Sequence, residues 1–217
     1  MKLEKQEINR KLLHLIALLM PIGIFYLPII MEIPGWMPPV ILGLLFLCSA
    51  ILDKLRIKYV RIQKIYHRLF HLLLRSHEQT KTTGATYIIG GAFLCSVAFI
   101  NLSYISFMVL TLFILGDGAA AIIGLSIGRT KILNKTLEGS LACFLMCMML
   151  FAFLFPYVPF LFEKSGKISI PLMIITSLSI TLLELIPIKI SNNRTINDNL
   201  YVPVLAGLIF DKIKPLF

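Results

Sequence analysis

Apolar residues run in long stretches along this chain, and polar residues gather between them. Seven such stretches lie at 11–30, 36–52, 84–100, 103–128, 139–160, 168–188 and 200–215. Most are close to the roughly 20 residues that a helix needs to cross a bilayer. The pattern predicts an all-α integral membrane protein with about seven transmembrane helices.

The first stretch follows a charged N-terminal segment, as the apolar part of a signal peptide does. Its apolar part is too long for that role and no small-residue cleavage site follows, so we expect a membrane helix. No long low-complexity segment and no convincing internal repeat divides the chain. A single polytopic membrane domain over residues 1–217 is therefore predicted.

Residues 53–77 alternate apolar and basic side chains at helical spacing. We interpret them as an amphipathic helix on the cytoplasmic membrane surface, within a basic segment at 53–83. His67 and His71 lie one turn apart there, as metal ligands often do, but no third ligand is identifiable and interfacial histidines are the plainer interpretation. Cys143 and Cys147 share a helix face, where packing residues are more common than a soft-metal site.

The composition supports the membrane interpretation, since 58% of the residues are hydrophobic and only 15% are charged. The net charge is +10, and all but four of the 21 Lys and Arg residues fall in segments that seven helices would place on one side. The four exceptions are Lys164, Lys167, Lys212 and Lys214. Basic loops face the cytoplasm, so we predict a cytoplasmic N-terminus, an external C-terminus and contact with anionic membrane lipids. Nucleic acid is not an expected partner.

One acidic residue, Asp117, lies inside the fourth apolar stretch, in the sequence GDGAAAIIG. On a straight helix it would lie about 16 Å below the basic loop that begins at Gly128. Because an ionisable group in the membrane is costly, it is a candidate functional residue. Gly116 and Gly118 flank it, and we predict a helix that is broken or tilted there and opens to the cytoplasm.

Small residues recur every four positions after Asp117, at Ala120, Gly124 and Gly128. Two interpretations are open for this stripe. Small residues at this spacing allow two helices to pack closely. Alternatively, the missing side chains allow a ligand to approach the backbone.

A basic loop follows the stripe and contains Arg129, Lys131 and Lys135, and Glu138 opens the next apolar segment. Hard cations such as Mg²⁺ take carboxylate and phosphate oxygens, while basic side chains offset the charge of a transferring phosphoryl group. Two carboxylates, a small-residue wall and a basic loop therefore predict a Mg²⁺-nucleotide site.

Two further acids, Glu184 and Asp198, fall toward the same side of the membrane. Asn197, Asp198 and Asn199 also suit a helix N-cap. Near the N-terminus Arg10 and His14 share one face, where interfacial anchoring is the usual explanation.

Taken together, these motifs resemble the CTP-dependent lipid kinases, which include dolichol kinase, phytol kinase and one type of diacylglycerol kinase. The resemblance covers nearly the whole chain in the expected order. It is carried by RKLLH at 10–14, TGATYIIGG at 83–91, GDGAAAIIG with IGRTKI and KTLEGS at 116–140, and NDNLYVPVLAGL at 197–208.

The resemblance implies transfer of the γ-phosphate of CTP to a membrane lipid alcohol, with Mg²⁺ as cofactor. In that scheme the catalytic and metal-binding residues are Asp117, Glu138 and Asp198. The residues expected around the nucleotide are Arg10, His14, Ala120, Gly124, Gly128, Arg129, Lys131, Lys135, Thr136 and Asn199. A homodimer is compatible with these patterns. The alcohol is a polyprenol, a phytol-like alcohol or diacylglycerol.

Two alternatives stay open. Phosphatidate cytidylyltransferases contain a central motif similar to the one in this chain. Their C-terminal HGG and DR.D segments, however, have no counterpart here. A small ion-coupled transporter would also carry intramembrane acids such as Asp117 and Glu184. Such transporters usually show paired interrupted helices in two related halves, and only the fourth apolar stretch is interrupted by glycine at an acid.

Overall fold

A computed structural model describes residues 15–70, 81–133, 135–191 and 194–216, and within these ranges the chain is mostly helical. The helices are α1 (Leu19–Ile30), α2 (Met37–Lys58), α3 (Val60–Phe70), α4 (Gly84–Ala98), α5 (Ser103–Ile127), α6 (Leu137–Met149), α7 (Leu161–Ser165), α8 (Ile170–Leu185) and α9 (Asp198–Ile213). Each predicted apolar stretch overlaps one of them, α3 lies in the predicted amphipathic segment, and the short α7 was not predicted.

Two of the described helices are long and apolar enough to cross a membrane by length and composition: Ser103–Ile127, and Leu137–Tyr157, which adds a π-helical turn and a 3-10 turn to α6. The core helix of a water-soluble protein passes the same test. Three further apolar helices, α1, α4 and α8, are shorter. These features weakly indicate a membrane protein.

Helix α5 forms the centre of the core. Its residues from Tyr104 to Ile114 are buried almost without interruption, and it packs most extensively against α6 and also against α1 and α9. Helix α4 packs between α2 and α9. At Gly91 of α4 the α9 backbone is so close that an added Cβ would lie 2.2 Å from the Asn199 carbonyl oxygen. The small residues of α4 therefore set the α4–α9 separation.

Two short antiparallel hairpins connect helices, and the sequence did not predict either. Strands β1 (Lys131–Ile132) and β2 (Lys135–Thr136) pair between α5 and α6, with Lys131 opposite Thr136 and Ile132 opposite Lys135. Strands β3 (Lys189–Ser191) and β4 (Arg194–Thr195) pair between α8 and α9. Helices α5 and α8 end, and helices α6 and α9 begin, on the same side of the bundle. We call this side the hairpin end.

Contacts at the other end of the bundle join helix ends that lie far apart in the sequence. Lys214, after α9, donates a hydrogen bond of 2.9 Å to the hydroxyl of Tyr104, near the start of α5. Tyr26, late in α1, donates to the carbonyl oxygen of Pro159, which precedes α7. The basic hairpins and these contacts therefore lie at opposite ends.

Two expectations about helix boundaries are wrong. Helix α5 is continuous through Asp117 and is not broken at its flanking glycines. Gly116 instead admits α6, since a Cβ there would lie 2.9 Å from Cys143 Sγ. The amphipathic helix also does not begin at residue 53, because α2 continues through Lys58 and buries Asp53 and Arg56.

Candidate functional site

Lys135, on the second strand of the β1–β2 hairpin, is the centre of the candidate site. Its ammonium nitrogen lies 2.6 Å from Oε1 of Glu184, near the end of α8, and 3.6 Å from Oδ2 of Asp198, at the start of α9. The Glu184 side chain is only 4% exposed, whereas those of Lys135 and Asp198 are 29% and 36% exposed. The lysine thus joins three elements at the hairpin end, with one buried and one accessible carboxylate.

The charge balance of this group keeps the lysine protonated. Burial by itself lowers the pKa of Lys135, but the charges of Glu184 and Asp198, the hydrogen bond to Glu184 and the charge of Asp117 together outweigh it. The pKa of Lys135 therefore lies above its usual value. An ammonium in this position is a permanent positive charge at neutral pH.

Asp117 belongs to the same electrostatic group, since its charge acts on both Lys135 and Glu184. It is partly buried on α5. Beside it, a Cβ added to Gly118 would meet no atom within 4 Å. The α5 surface is therefore closed by α6 at Gly116 and open at Gly118.

The ends of the helices around Lys135 are held by specific hydrogen bonds. Thr136 caps α6, because its hydroxyl accepts a bond from the backbone N–H of Gly139 at 3.2 Å. The Tyr201 hydroxyl of α9 approaches two carbonyl oxygens at the end of α8, those of Leu183 at 2.9 Å and Ile186 at 3.1 Å. These contacts fix the positions from which Lys135 and Glu184 meet.

Glu138, in the first turn of α6, contacts the backbone of the hairpin. Both of its carboxylate oxygens accept from the backbone N–H of Thr130, at 3.1 and 3.3 Å. This bond closes the base of the β1–β2 hairpin. Its role as a catalytic or metal-binding residue stays a prediction.

The small-residue stripe of α5 faces the start of α6. A Cβ at Gly124 would lie 2.8 Å from Thr136 Oγ1, and one at Gly128 would lie 2.8 Å from the same oxygen. A Cβ at Gly139 would approach the Ala120 carbonyl oxygen to 2.7 Å. These distances are those of close helix packing. Contact of the stripe with a nucleotide stays a prediction.

The N-terminus of α9 is capped by its own residues and tied to α4. The side chain of Asn197 accepts from the Asn199 backbone N–H at 3.1 Å, and Asp198 Oδ1 accepts from the same N–H at 3.0 Å. The Asn199 side-chain amide donates to the Gly84 carbonyl oxygen at 3.3 Å. The expected cap is thus present, and it leaves Asp198 Oδ2 facing Lys135.

A buried polar cluster that the sequence did not reveal joins α2 to the start of α4. Asp53 Oδ2 accepts from the backbone N–H and hydroxyl of Thr83 and from the hydroxyl of Thr86, at 2.9, 3.1 and 2.7 Å. Its Oδ1 accepts from Arg56 at 2.6 Å, and Arg56 also donates to the Lys81 carbonyl oxygen. In the sequence, the available indication of this cluster was an aspartate followed three positions later by an arginine, Asp53 and Arg56.

The remaining predicted residues lie at the surface or outside the described ranges. Arg129 and Lys131 are exposed beside the hairpin. Arg10 and His14 lie outside the residues that the structure describes, as does His71. The structure therefore brings together Asp117, Asp198 and Lys135 of the predicted set and adds Glu184 to them.

The donor set fits a hard cation only in part. Within the described residues, no group of three or more His, Cys, Asp or Glu side chains is arranged to hold a metal ion. Asp198 and Asp117 offer carboxylate oxygens, which Mg²⁺ prefers, and Mg²⁺ commonly uses one or two carboxylates and completes its shell with substrate phosphates and water. Binding of a cation that arrives with a nucleotide stays a prediction.

Comparison with known proteins gives one informative match. The chain is 28% identical to the uncharacterized protein RP860 of Rickettsia prowazekii (strain Madrid E), over 95% of this chain and 96% of that protein. No family model and no solved structure matches the chain.

Proposed function

We propose that the chain is a multi-pass membrane protein in which the seven apolar helices span the bilayer, with the hairpin end and the N-terminus cytoplasmic and the C-terminus outside. The distribution of side chains supports this. Helix α8 exposes Ile170, Ile174, Leu178 and Leu182 along one face and buries Thr176, Ser177, Thr181 and Glu184 along another. Apolar residues outside and polar residues inside are typical of a helix that faces lipid.

Helix α6 repeats the pattern, with Leu141, Leu145 and Met149 exposed and Gly139, Cys143 and Cys147 buried. The described residues of both basic hairpins lie at one end of the bundle, as expected of cytoplasmic loops under the positive-inside rule. Single cysteines introduced into the two hairpins and beside Lys164 test the orientation. In sealed vesicles a membrane-impermeant thiol reagent should label the hairpins and the Lys164 side from opposite faces.

The function we propose is that of a CTP-dependent kinase, which phosphorylates a membrane lipid alcohol at the cytoplasmic face. The observation that carries it is the position of Lys135 between Glu184 and Asp198, within the field of Asp117. Phosphoryl transfer relies on cations that neutralise the transferring group and on carboxylates that hold Mg²⁺ or orient the nucleophile. The preference for CTP rests on the sequence resemblance.

Within this scheme the accessible residues have distinct roles. Asp198 and Asp117 would hold Mg²⁺, which when bound neutralises the phosphates. One of the two carboxylates would accept the proton of the lipid hydroxyl as the hydroxyl oxygen attacks the γ-phosphorus. The bond between that phosphorus and the β,γ-bridging oxygen would break, and CDP would leave. Lys135 with the exposed Arg129 and Lys131 would bind the phosphates. A lipid alcohol could reach this end of the bundle by lateral diffusion.

The test is transfer of phosphate from γ-labelled CTP, and separately from ATP, to polyprenol, a phytol-like alcohol or diacylglycerol by protein purified in detergent. We expect label on one lipid, with a loss on the order of a hundredfold in Asp117→Asn and Asp198→Asn. The matched control is Asp211→Asn, at the far end of the same helix as Asp198. No labelled lipid, with pyrophosphate released from CTP and phosphatidate, would establish a cytidylyltransferase instead.

A further inference from the structure

The two carboxylates that contact Lys135 differ in accessibility and distance. Glu184 is almost completely buried and forms a short, direct hydrogen bond of 2.6 Å with the ammonium. Asp198 is more than a third exposed and lies 3.6 Å away, beyond good hydrogen-bond geometry. The ammonium is therefore hydrogen-bonded to the buried Glu184, whereas the exposed Asp198 lies near it without a direct hydrogen bond.

This difference has an energetic origin. A carboxylate buried on an apolar helix is costly unless a cation neutralises it, and removing one partner of such a pair leaves an uncompensated charge. Among the described residues, Lys135 is the cation that contacts Glu184. The exposed Asp198 keeps part of its hydration and does not depend on the lysine in the same way.

We propose that Glu184 is a positioning residue that acts as the fixed counter-ion of Lys135, keeping the ammonium from neutralising Asp198 and thus leaving Asp198 for a divalent cation. This inference rests on the proposed function for the presence of that cation. Without Glu184, the carboxylates that remain near the ammonium among the described residues are those of Asp198 and Asp117. A cation would then have to compete with Lys135 for them.

The test measures binding of Mn²⁺, which takes the same oxygen ligands as Mg²⁺, to the full-length protein in detergent by the loss of the free-ion electron paramagnetic resonance signal. The measurement is made without CTP, and also with CTP against a protein-free mixture, because CTP itself binds Mn²⁺. The variants are Glu184→Gln, the double variant Glu184→Gln/Lys135→Gln, and Glu163→Gln as the matched control. Glu163 is exposed at the opposite end of the bundle.

We expect Glu184→Gln to weaken Mn²⁺ binding by about tenfold or more, because a unit positive charge now opposes the cation at close range. In the absence of CTP, the double variant removes that charge and should bind Mn²⁺ within about threefold of wild type. Glu163→Gln should bind as wild type does. A merely structural role for Glu184 predicts that Mn²⁺ affinity follows the melting temperature of each variant, because removing both partners of a buried pair also restores stability. The counter-ion role predicts weak Mn²⁺ binding even by Glu184→Gln protein that melts as wild type does.

The outcomes that overturn the inference differ from those that overturn the proposed function. Unchanged binding in Glu184→Gln, or binding that stays weak in the folded double variant, contradicts the counter-ion role while the metal site stands. Absence of Mn²⁺ binding to the wild type, with and without CTP, refutes the proposed metal-nucleotide site and this inference with it. Circular dichroism melting of each variant identifies any that fails to fold.

Discussion

Asp53 on α2 caps α4 from a different helix, because its Oδ2 accepts the backbone N–H of Thr83 at 2.9 Å. Thr83 is the N-cap of α4, and the next residue, Gly84, accepts the hydrogen bond from Asn199 beside Asp198. A carboxylate at a helix N-terminus is favoured by the helix dipole. The cluster around Asp53 therefore fixes the start of α4, against which the N-terminus of α9 packs.

The first prediction concerns Asp53→Ala. It removes the buried carboxylate that accepts hydrogen bonds from Arg56, Thr83 and Thr86, and should lower the free energy of unfolding by about 3–5 kcal/mol. Thermal melting in detergent, followed by circular dichroism, measures the effect. Asp211→Ala, on α9, is the control and should change stability little. A melting temperature of Asp53→Ala equal to that of wild type would refute the assigned role of the cluster.

The second prediction contrasts two glycines. Gly91→Ala should destabilise the protein strongly, because its Cβ would lie 2.2 Å from the Asn199 backbone and force α4 and α9 apart. Gly118→Ala should stabilise it by about 0.5–1 kcal/mol, because the new methyl group meets open space and alanine favours the helix. The same melting experiment separates the two. Similar effects of both substitutions would contradict the packing described for α4.

The helices of this protein could be predicted from its sequence because they depend on local hydrophobicity. The partners of the polar residues could not. Asp117 and Asp198 stand out as acids near apolar stretches, but the pairing of Lys135 with Glu184 joins residues 49 positions apart. A buried carboxylate favours a cationic partner, and that preference does not say which lysine supplies it.

Local signals also misled the prediction in two places. Glycines on both sides of Asp117 suggested a broken helix, whereas α5 is continuous and Gly116 serves close packing with α6. Basic residues after position 53 suggested the start of a surface helix, whereas Arg56 is paired and buried within α2. In both cases tertiary contacts decided what the local pattern left open.

The third prediction concerns pH. Because the pKa of Lys135 is raised in the folded protein, its ion pair contributes its full stability below the usual lysine pKa of about 10.4. That contribution is lost as the pH rises from there through the folded-state pKa. Lys135→Arg, which keeps its charge, should lose less stability than wild type between about pH 10 and 12. Parallel alkaline melting profiles of the two proteins would contradict this.

The fourth prediction concerns Leu133, at the tip of the β1–β2 hairpin. Its φ is +55°, a left-handed conformation that is unfavourable for a branched apolar residue, and its side chain is exposed. Asparagine tolerates this conformation, so Leu133→Asn should raise the free energy of unfolding by about 0.5–1 kcal/mol. Leu133→Ala removes the same apolar surface but keeps the backbone strain. If Leu133→Ala stabilises the protein as much as Leu133→Asn does, the gain comes from removing the exposed leucine side chain and not from relief of backbone strain.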